Sequence, residues 1–486
     1  MPASGTYLAF DLGASNGRAI VGSLHDNTFS LEVVHRFETP VIEASGHLYW
    51  DTPTLERELR TGLEKARQTA GPLQSLSVTS WGVDYVPLGE DGRPLRNPYC
   101  YRDGRTAQTP EQVYRQISEQ VFYHTTGIGT MSINTVFQLC WERDHDPELF
   151  ARTANRLPIA DYFNYVLSGV KATERSLAST TQMLNAATGT WASELLEELG
   201  IAENRLAPIV PSATILGPVQ HSWRRSHKPG RVDGHSDPEM VVASCSHDTA
   251  CAMATVLALH PHPGRVFLSS GTWSLLGLEQ HRPIVSEEAR TAGFTNESGP
   301  GATIRFLKNL TGLWVLQECE REWKQQQQQY TYEQLMEEAT REASAQTPPV
   351  IDLEDPPFAE PGKMTAKLQE YCRRHALPVP KTRGALVAAI LHSLAHTYAH
   401  TIRSLEALTG ESIAHIHVVG GGSQNRLLCQ WTANSTGCEV LAGPVEASAI
   451  GNILMQARAL GKLPAGQELR EMLSRFEPLK SYQPSE

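Results

Sequence analysis

Basic residues are the scarcer charge in this 486-residue chain: 42 Lys and Arg stand against 53 Asp and Glu, giving a formal charge of −11. No long Lys/Arg block interrupts that balance, which argues against a nucleic-acid or anionic-membrane surface and leaves room only for a local basic pocket. Long hydrophobic runs are missing as well. The richest apolar segments are broken by His, Ser, Gly or charge well short of the ~20 residues needed to span a bilayer, so no membrane partner is expected. Cysteine is sparse and unpatterned: the eight residues at 100, 140, 245, 251, 319, 372, 429 and 438 form no C-x-x-C pair and no zinc spacing, which reads as reduced thiols. Met1 to Thr6 lack a basic n-region and an apolar h-region, so no export signal is expected and the setting reads as cytoplasmic. Neither G-x-x-x-x-G-K-[ST] nor a post-strand G-x-G-x-x-G occurs, which removes the P-loop and the dinucleotide fingerprint.

The length exceeds what a single hydrophobic core supports, so two domains are expected. Tyr7-Leu8-Ala9-Phe10-Asp11 reads as a strand ending in an acid, Leu12 to Gly17 as a glycine-containing turn, and Arg18 to Gly22 as a returning strand. A strand from Ser30 to Phe37 comes next, then a helix from about Thr54 to Arg67 after the cap-like Asp51-Thr52-Pro53. Ser75 to Ser80 is a strand broken at Trp81-Gly82, a place where side chains commonly line a crevice. Helical patterns dominate 105–240, a polar, turn-rich stretch covers 230–238, and Met240 to Ala243 is a further strand. His260 to Gly264 reads as a linker, dividing the chain into domains 1–258 and 259–486. Beyond it, Arg265 to Glu279 repeats the strand, polar turn and strand of the N-terminus. The second half also carries a helix from about Ala385 to Leu408 closed by Gly410, a strand Ile416 to Val419, glycines at 420 to 422 and a helix from about Gln424. That last arrangement is nucleotide-compatible. The run Gln325 to Gln329 reads as a solvated helix or loop.

Two glycine-tipped hairpins, one per domain, are candidate phosphate cradles, because backbone N–H groups approach phosphate closely only where side chains are small. Ser15, Asn16, Ser270 and Thr272 add side-chain donors there. Ser246-His247-Asp248-Thr249, just after a strand, offers an acid among small residues. A hydroxyl attacking phosphorus must lose a proton, so Asp248 is a candidate general base and Asp11 a candidate organiser of metal and phosphate. His392, His396 and His400 recur at helical spacing opposite an apolar stripe, which reads as a solvated face rather than a metal site.

These residues, taken together, resemble a known family. Asp11 to Arg18, Tyr49-Trp50-Asp51, Trp81 to Tyr85, Tyr101-Arg102-Asp103, Asp161-Tyr162-Phe163, His247 to Ala250, Ser269 to Ser274, Leu307-Lys308-Asn309 and Val419 to Gly422 are, in this order, similar to the motifs of the FGGY carbohydrate kinases. The resemblance implies an α/β fold of two duplicated actin-like (ribonuclease H-like) ATPase domains, with sugar and ATP meeting in a cleft between them. The N-terminal domain would hold the sugar and the first phosphate hairpin, and the C-terminal domain the ATP. The implied reaction moves the γ-phosphate of ATP to O1 of the ketose L-rhamnulose with Mg²⁺ as working metal. L-Fuculose or L-xylulose is the alternative substrate; a non-catalytic sugar sensor and an actin-type ATPase are the alternatives in other classes. By the same resemblance Asp248 is the catalytic base. Gly82, His247, Asp248, Thr249 and Asn309 contact the sugar, and Ala14, Ser15, Asn16, Gly17, Arg18, Thr272, Gln317 and Gly421 contact ATP. Three positions depart from the family pattern: Asn16 stands where Ser is usual, Ala160 where Pro often precedes Asp-Tyr-Phe, and Gly129 where Gln commonly follows Thr-Gly-Ile. The oligomeric state is left open by the sequence.

Overall fold

The computed structural model describes residues 5–25, 27–224, 238–259, 264–464 and 466–485. The turn-rich stretch at 230–237 and the linker residues 260–263 lie outside the described residues. The chain folds as two compact units. The first comprises Met1–Pro261, Glu279–Phe306 and Ala447–Phe476; the second comprises His262–Leu278, Leu307–Glu446 and Glu477–Glu486. Among the described residues no helix is long and apolar enough to cross a membrane.

The first unit is built on a sheet of β1 (Gly5–Leu12), β2 (Asn16–His25), β3 (Thr28–Glu38), β4 (Ser75–Ser80), β5 (Thr214–Pro218) and β6 (Met240–Ala243), in the order β5-β6-β4-β1-β2-β3. β1, β2 and β3 pair antiparallel, whereas β4 runs parallel to both β1 and β6. Seven of the eight β1 residues are buried, as a strand covered on both faces requires. One face carries Leu8, Phe10, Ala19 and Val21 against Leu55, Leu59, Leu63 and Ala66 of the helix Thr52–Ala70. That helix starts where expected, because Asp51 caps it by accepting from the Thr54 backbone N–H and Pro53 occupies its first turn. The opposite face receives the helix Ala447–Ala459, whose Ile453 lies over Gly22. This helix crosses the helix Asp248–Leu259 so closely that a Cβ on Gly451 would collide with the Cys251 carbonyl.

The second unit repeats the plan. Its sheet contains β7 (Arg265–Ser270), β8 (Trp273–Gln280), β9 (Ile304–Thr311, which crosses from the first unit into the second at Leu307), β10 (His415–Val419), β11 (Glu439–Ala442) and β12 (Lys480–Tyr482). They are arranged as β9-β8-β7-β10-β11-β12. β7 and β8 are antiparallel, and β10 is parallel to both β7 and β11. In each unit a hairpin is therefore followed by two parallel strands, the α/β duplication expected from the repeated strand, turn and strand pattern. The helix Arg383–Thr409 ends on Gly410 in the left-handed conformation. His396 and His400 lie on its exposed side and His392 is half-buried. All eight cysteines are buried and free.

Candidate active site

In the first unit the residues singled out around Asp248 converge at the ends of the parallel strands. β6 delivers Ser244 to His247, and Asp248 is the first residue of the helix Asp248–Leu259. Its side chain is 28% exposed, which leaves it open to a ligand, and its Oδ1 lies 3.6 Å from His247 Nε2. Burial pushes the Asp248 carboxyl up to about 6; His247 opposes that, Asp11 reinforces it, and the Thr249 N–H and Arg305 oppose it. A carboxylate with a pKa near the working pH is suited to take a proton.

The turn that presents Asp248 is held from below by two buried acids. Glu174 Oε2 accepts the Ser246 N–H at 2.8 Å, and Asp161 Oδ1 accepts the Ser246 hydroxyl at 2.7 Å. Ser176 Oγ donates to Glu174 and accepts the His247 N–H at 3.0 Å. Burial raises both carboxyls, and Glu174 raises Asp161 further. From above, Arg305 on β9, fully buried, donates to Thr249 Oγ1 at 2.7 Å and to Glu297 Oε2 at 2.7 Å, and its Nη2 lies 3.0 Å from His247 Nδ1. Burial raises the Glu297 carboxyl, but Arg305 and His247 outweigh it and leave the group at about 2.

Gly82 follows β4 in the same unit. Its turn is anchored by the buried Asp84, whose Oδ2 accepts Trp50 Nε1 at 2.7 Å and Trp81 Nε1 at 3.0 Å. A Cβ on Gly82 would stand 2.8 Å from Thr180 Oγ1, so no larger residue fits without displacing Thr180. Val83 next to it has φ 68°, strained for a β-branched residue and of the kind that clusters at functional sites. Thr180 Oγ1 and Thr135 Oγ1 hold it through its N–H and its carbonyl at 3.3 and 2.6 Å.

The first hairpin carries Ala14 to Arg18 at its tip. Ser15 and Asn16 are exposed, the Gly13 N–H donates to the Asn16 carbonyl at 2.9 Å, and Arg18 pairs with Asp11 across the strands at 2.5 Å. In the second unit the hairpin tip carries Thr272, whose hydroxyl donates to Gln317 Oε1 at 3.0 Å. Two residues expected to contact ATP, far apart in sequence, thus meet. The Gly420–Gly422 turn packs on Ser270, with a Cβ on Gly420 only 3.0 Å from the Ser270 carbonyl, whereas nothing lies within 4 Å of one on Gly421. Asn309 belongs to this unit and is half-buried on β9.

Two of the departures have a local account. The Ala160 N–H lies 3.1 Å from Ser80 Oγ and donates to it, a bond Pro has no hydrogen to make. A Cβ on Gly129 would meet nothing nearer than the Phe294 carbonyl at 3.7 Å, so space and not backbone strain distinguishes this position. Among the described residues no cluster of three or more His, Cys, Asp or Glu has the geometry of a metal site.

A hairpin plan repeated in two units, one furnished with a half-buried acid and the other with neutral donors, defines a phosphotransferase class. The N-terminal domain model of the FGGY family of carbohydrate kinases matches residues 6–254 and the C-terminal domain model residues 266–460; the chain belongs to this family. It is an ATP-dependent sugar kinase with the two-domain, actin-like α/β fold of that family. It is 38% identical over 481 residues to the rhamnulokinase of Bacteroides thetaiotaomicron, covering 99% of this chain and 96% of that protein. It is 39% identical over 481 residues to the rhamnulokinase of Enterococcus faecalis, covering 98% and 94%. Among solved structures, gluconate kinase from Lactobacillus acidophilus superposes with a TM-score of 0.77 at 16% identity, over 99% of this chain and 94% of that one, a likeness of fold.

Proposed function

We propose that this kinase transfers the γ-phosphate of ATP to O1 of L-rhamnulose, giving L-rhamnulose 1-phosphate and ADP in L-rhamnose catabolism. The observation that carries the mechanism is Asp248, half-buried, with a pKa raised to about 6, between two immobilised polar side chains. Asp248 takes the proton from the 1-hydroxyl as that oxygen bonds to the γ-phosphorus, and the bond from the γ-phosphorus to the β–γ bridging oxygen breaks to release ADP. His247 and Thr249 orient the sugar, together with Gly82 and Asn309. Ala14 to Arg18 of the first unit and Thr272, Gln317 and Gly421 of the second receive ATP, chiefly through backbone N–H groups and neutral donors.

Asp11 and Asp248 interact closely enough for Asp11 to raise the Asp248 pKa. Mg²⁺ takes one or two carboxylates together with substrate phosphates, and Asp11, which also pairs with Arg18 at 2.5 Å, is the carboxylate proposed for it. Asp11 would hold the ion, whose contribution when bound is to neutralise charge on the phosphates. The proposal includes residues 1–258 as the sugar-binding domain, residues 259–486 as the ATP-binding domain, and a cytoplasmic setting, which suits eight buried free thiols.

The substrate is tested by initial rates with L-rhamnulose, L-fuculose and L-xylulose under ATP and Mg²⁺, with the product ester located by phosphorus–proton coupling. L-Rhamnulose is expected to have the highest kcat/KM and to be esterified at O1. Equal or better turnover of another ketose overturns the substrate, and sugar and ATP binding without ADP formation overturns the enzyme reading.

A further inference from the structure

In the second unit the hairpin of β7 and β8 is in contact with both of the other segments assigned to ATP. At its tip the Gly271 N–H donates to the Trp273 carbonyl at 2.9 Å, while the Leu313 and Trp314 N–H groups donate to the Gly271 and Thr272 carbonyls at 2.8 and 3.1 Å. The tip is thereby fastened to the start of the helix Trp314–Gln325, which carries Gln317. Ser270, one residue before the tip, is closed in by the glycine turn: a Cβ on Gly422 would collide with Ser270 Oγ, and one on Gly420 would stand 3.0 Å from the Ser270 carbonyl. Contacts this close transmit a shift of the hairpin to both neighbours. The placement of β7 and β8 therefore sets the spacing between Gly421 and Gln317.

A buried phenol anchors the same hairpin. Tyr398, on the helix Arg383–Thr409, is fully buried, and so are Leu394 and Ile402 one turn to either side, which puts its ring on an apolar helix face. Its hydroxyl leaves that face: it lies 2.7 Å from Ser274 Oγ, on a serine of β8 that is itself fully buried. Ser274 is the partner of Ser270 across the hairpin. Ser270 Oγ stands close enough to act on the phenol but makes no hydrogen bond of its own, which leaves the tie to Ser274. A hydroxyl buried among apolar groups costs free energy unless it is bonded, and here the bond crosses from helix to hairpin.

We propose that Tyr398 is a positioning residue for ATP: through Ser274 its hydroxyl fixes β7 and β8 against the helix Arg383–Thr409, and the hairpin in turn holds Thr272, Gln317 and Gly421 in the arrangement that receives the phosphates. This rests on the assignment of those three residues as ATP contacts. Being fully buried, Tyr398 acts through the hairpin and not on the nucleotide itself.

Two variants remove the same bond from opposite ends. Tyr398→Phe keeps the ring and loses the hydroxyl; Ser274→Ala loses its partner. In each, the KM for ATP is expected to rise roughly two- to tenfold, the range that one neutral hydrogen bond commands, with the ketose KM unchanged. The double variant is expected to be no weaker for ATP than the weaker single one, because residues that share one bond do not act independently. An unchanged KM for ATP in Tyr398→Phe overturns the proposal, as do effects that multiply in the double variant. An equal rise in both KM values with a lowered melting temperature, the mark of a merely structural role, overturns it too. Calorimetric titration with ADP in the absence of sugar separates this from the underlying assignment. Weakened ADP binding in Thr272→Val beside normal binding in Tyr398→Phe removes the positioning role alone, whereas normal ADP binding in Thr272→Val overturns the ATP contact and the proposal with it.

Discussion

The two units share one strand plan and furnish it with opposite chemistry. In the first, the strand ends carry acids: Asp11 is the penultimate residue of β1, Asp84 follows β4, and β6 leads to Asp248, with Asp161, Glu174 and Glu297 bonded to the same turn. In the second, the corresponding ends carry Ser270, the Gly420–Gly422 turn after β10 and Gly443 after β11, with the Thr272 hydroxyl donating to Gln317 Oε1. Proton abstraction needs a titratable group whose surroundings tune it, whereas a polyphosphate is repelled by carboxylates and is better met by backbone N–H groups. On the proposed assignment the candidate base sits in only one copy, whereas the carboxylates near the strand ends of the other, Glu354 and Glu477, accept the backbone N–H groups of Thr311 and Val445.

The largest effect that sharpens this contrast is expected from Asp248→Asn. It should lower kcat by a factor on the order of 10² to 10⁴, the usual worth of a general base, with the KM for ATP little changed; near-normal turnover would remove Asp248 from that role. The same variant should be the more stable protein at pH 8. The folded pKa of about 6 lies above the ordinary 3.8, so folding carries a penalty for ionisation that is absent below the ordinary value and complete above about pH 6. Denaturant titrations should show a gain on the order of 1–3 kcal/mol at pH 8 and none at pH 3.5.

A smaller effect separates the glycine turns that end the first parallel strand of each unit. Gly82→Ala forces Thr180 aside and should cost about 1–3 kcal/mol, as overpacking does, with a raised ketose KM. Gly421→Ala has free space around its Cβ, so its stability should stay within about 0.5 kcal/mol of the parent while the KM for ATP rises roughly tenfold, the equivalent of about 1.4 kcal/mol. Equal destabilisation of the two variants, read by denaturant titration, would erase the distinction between a packed turn and an open one.

Much of this was legible in the sequence because it is local. Met240–Ala243 is the strand its apolar run indicates, and the helix at 383–409 begins only two residues before the expected Ala385. The helix expected from Gln424 starts at Arg426, since Gly421–Gln424 form a 3₁₀ turn and Asn425 is the N-cap of the helix Arg426–Thr436. What escaped is long-range. The return of 279–306 and 447–476 to the first unit leaves no periodic trace. Glu297 and Arg305 acquire their meaning only when their strands come to His247; the one sequence signal was a lone Arg inside the otherwise apolar Ile304-Arg305-Phe306-Leu307, a charge that a buried strand tolerates only with partners. Asp161 and Glu174 were likewise invisible as a pair, although Asp161 stands in a motif that the family shares.

The most direct test of the account is the pH dependence of kcat/KM for L-rhamnulose in the unmutated enzyme, because the base must be ionised to act. Activity should rise with pH through a midpoint of about 6 and then level off, tracking the ionisation of Asp248. A profile that is flat from pH 5 to 8 while the phosphate ester is still formed would contradict the assignment of Asp248 as the base.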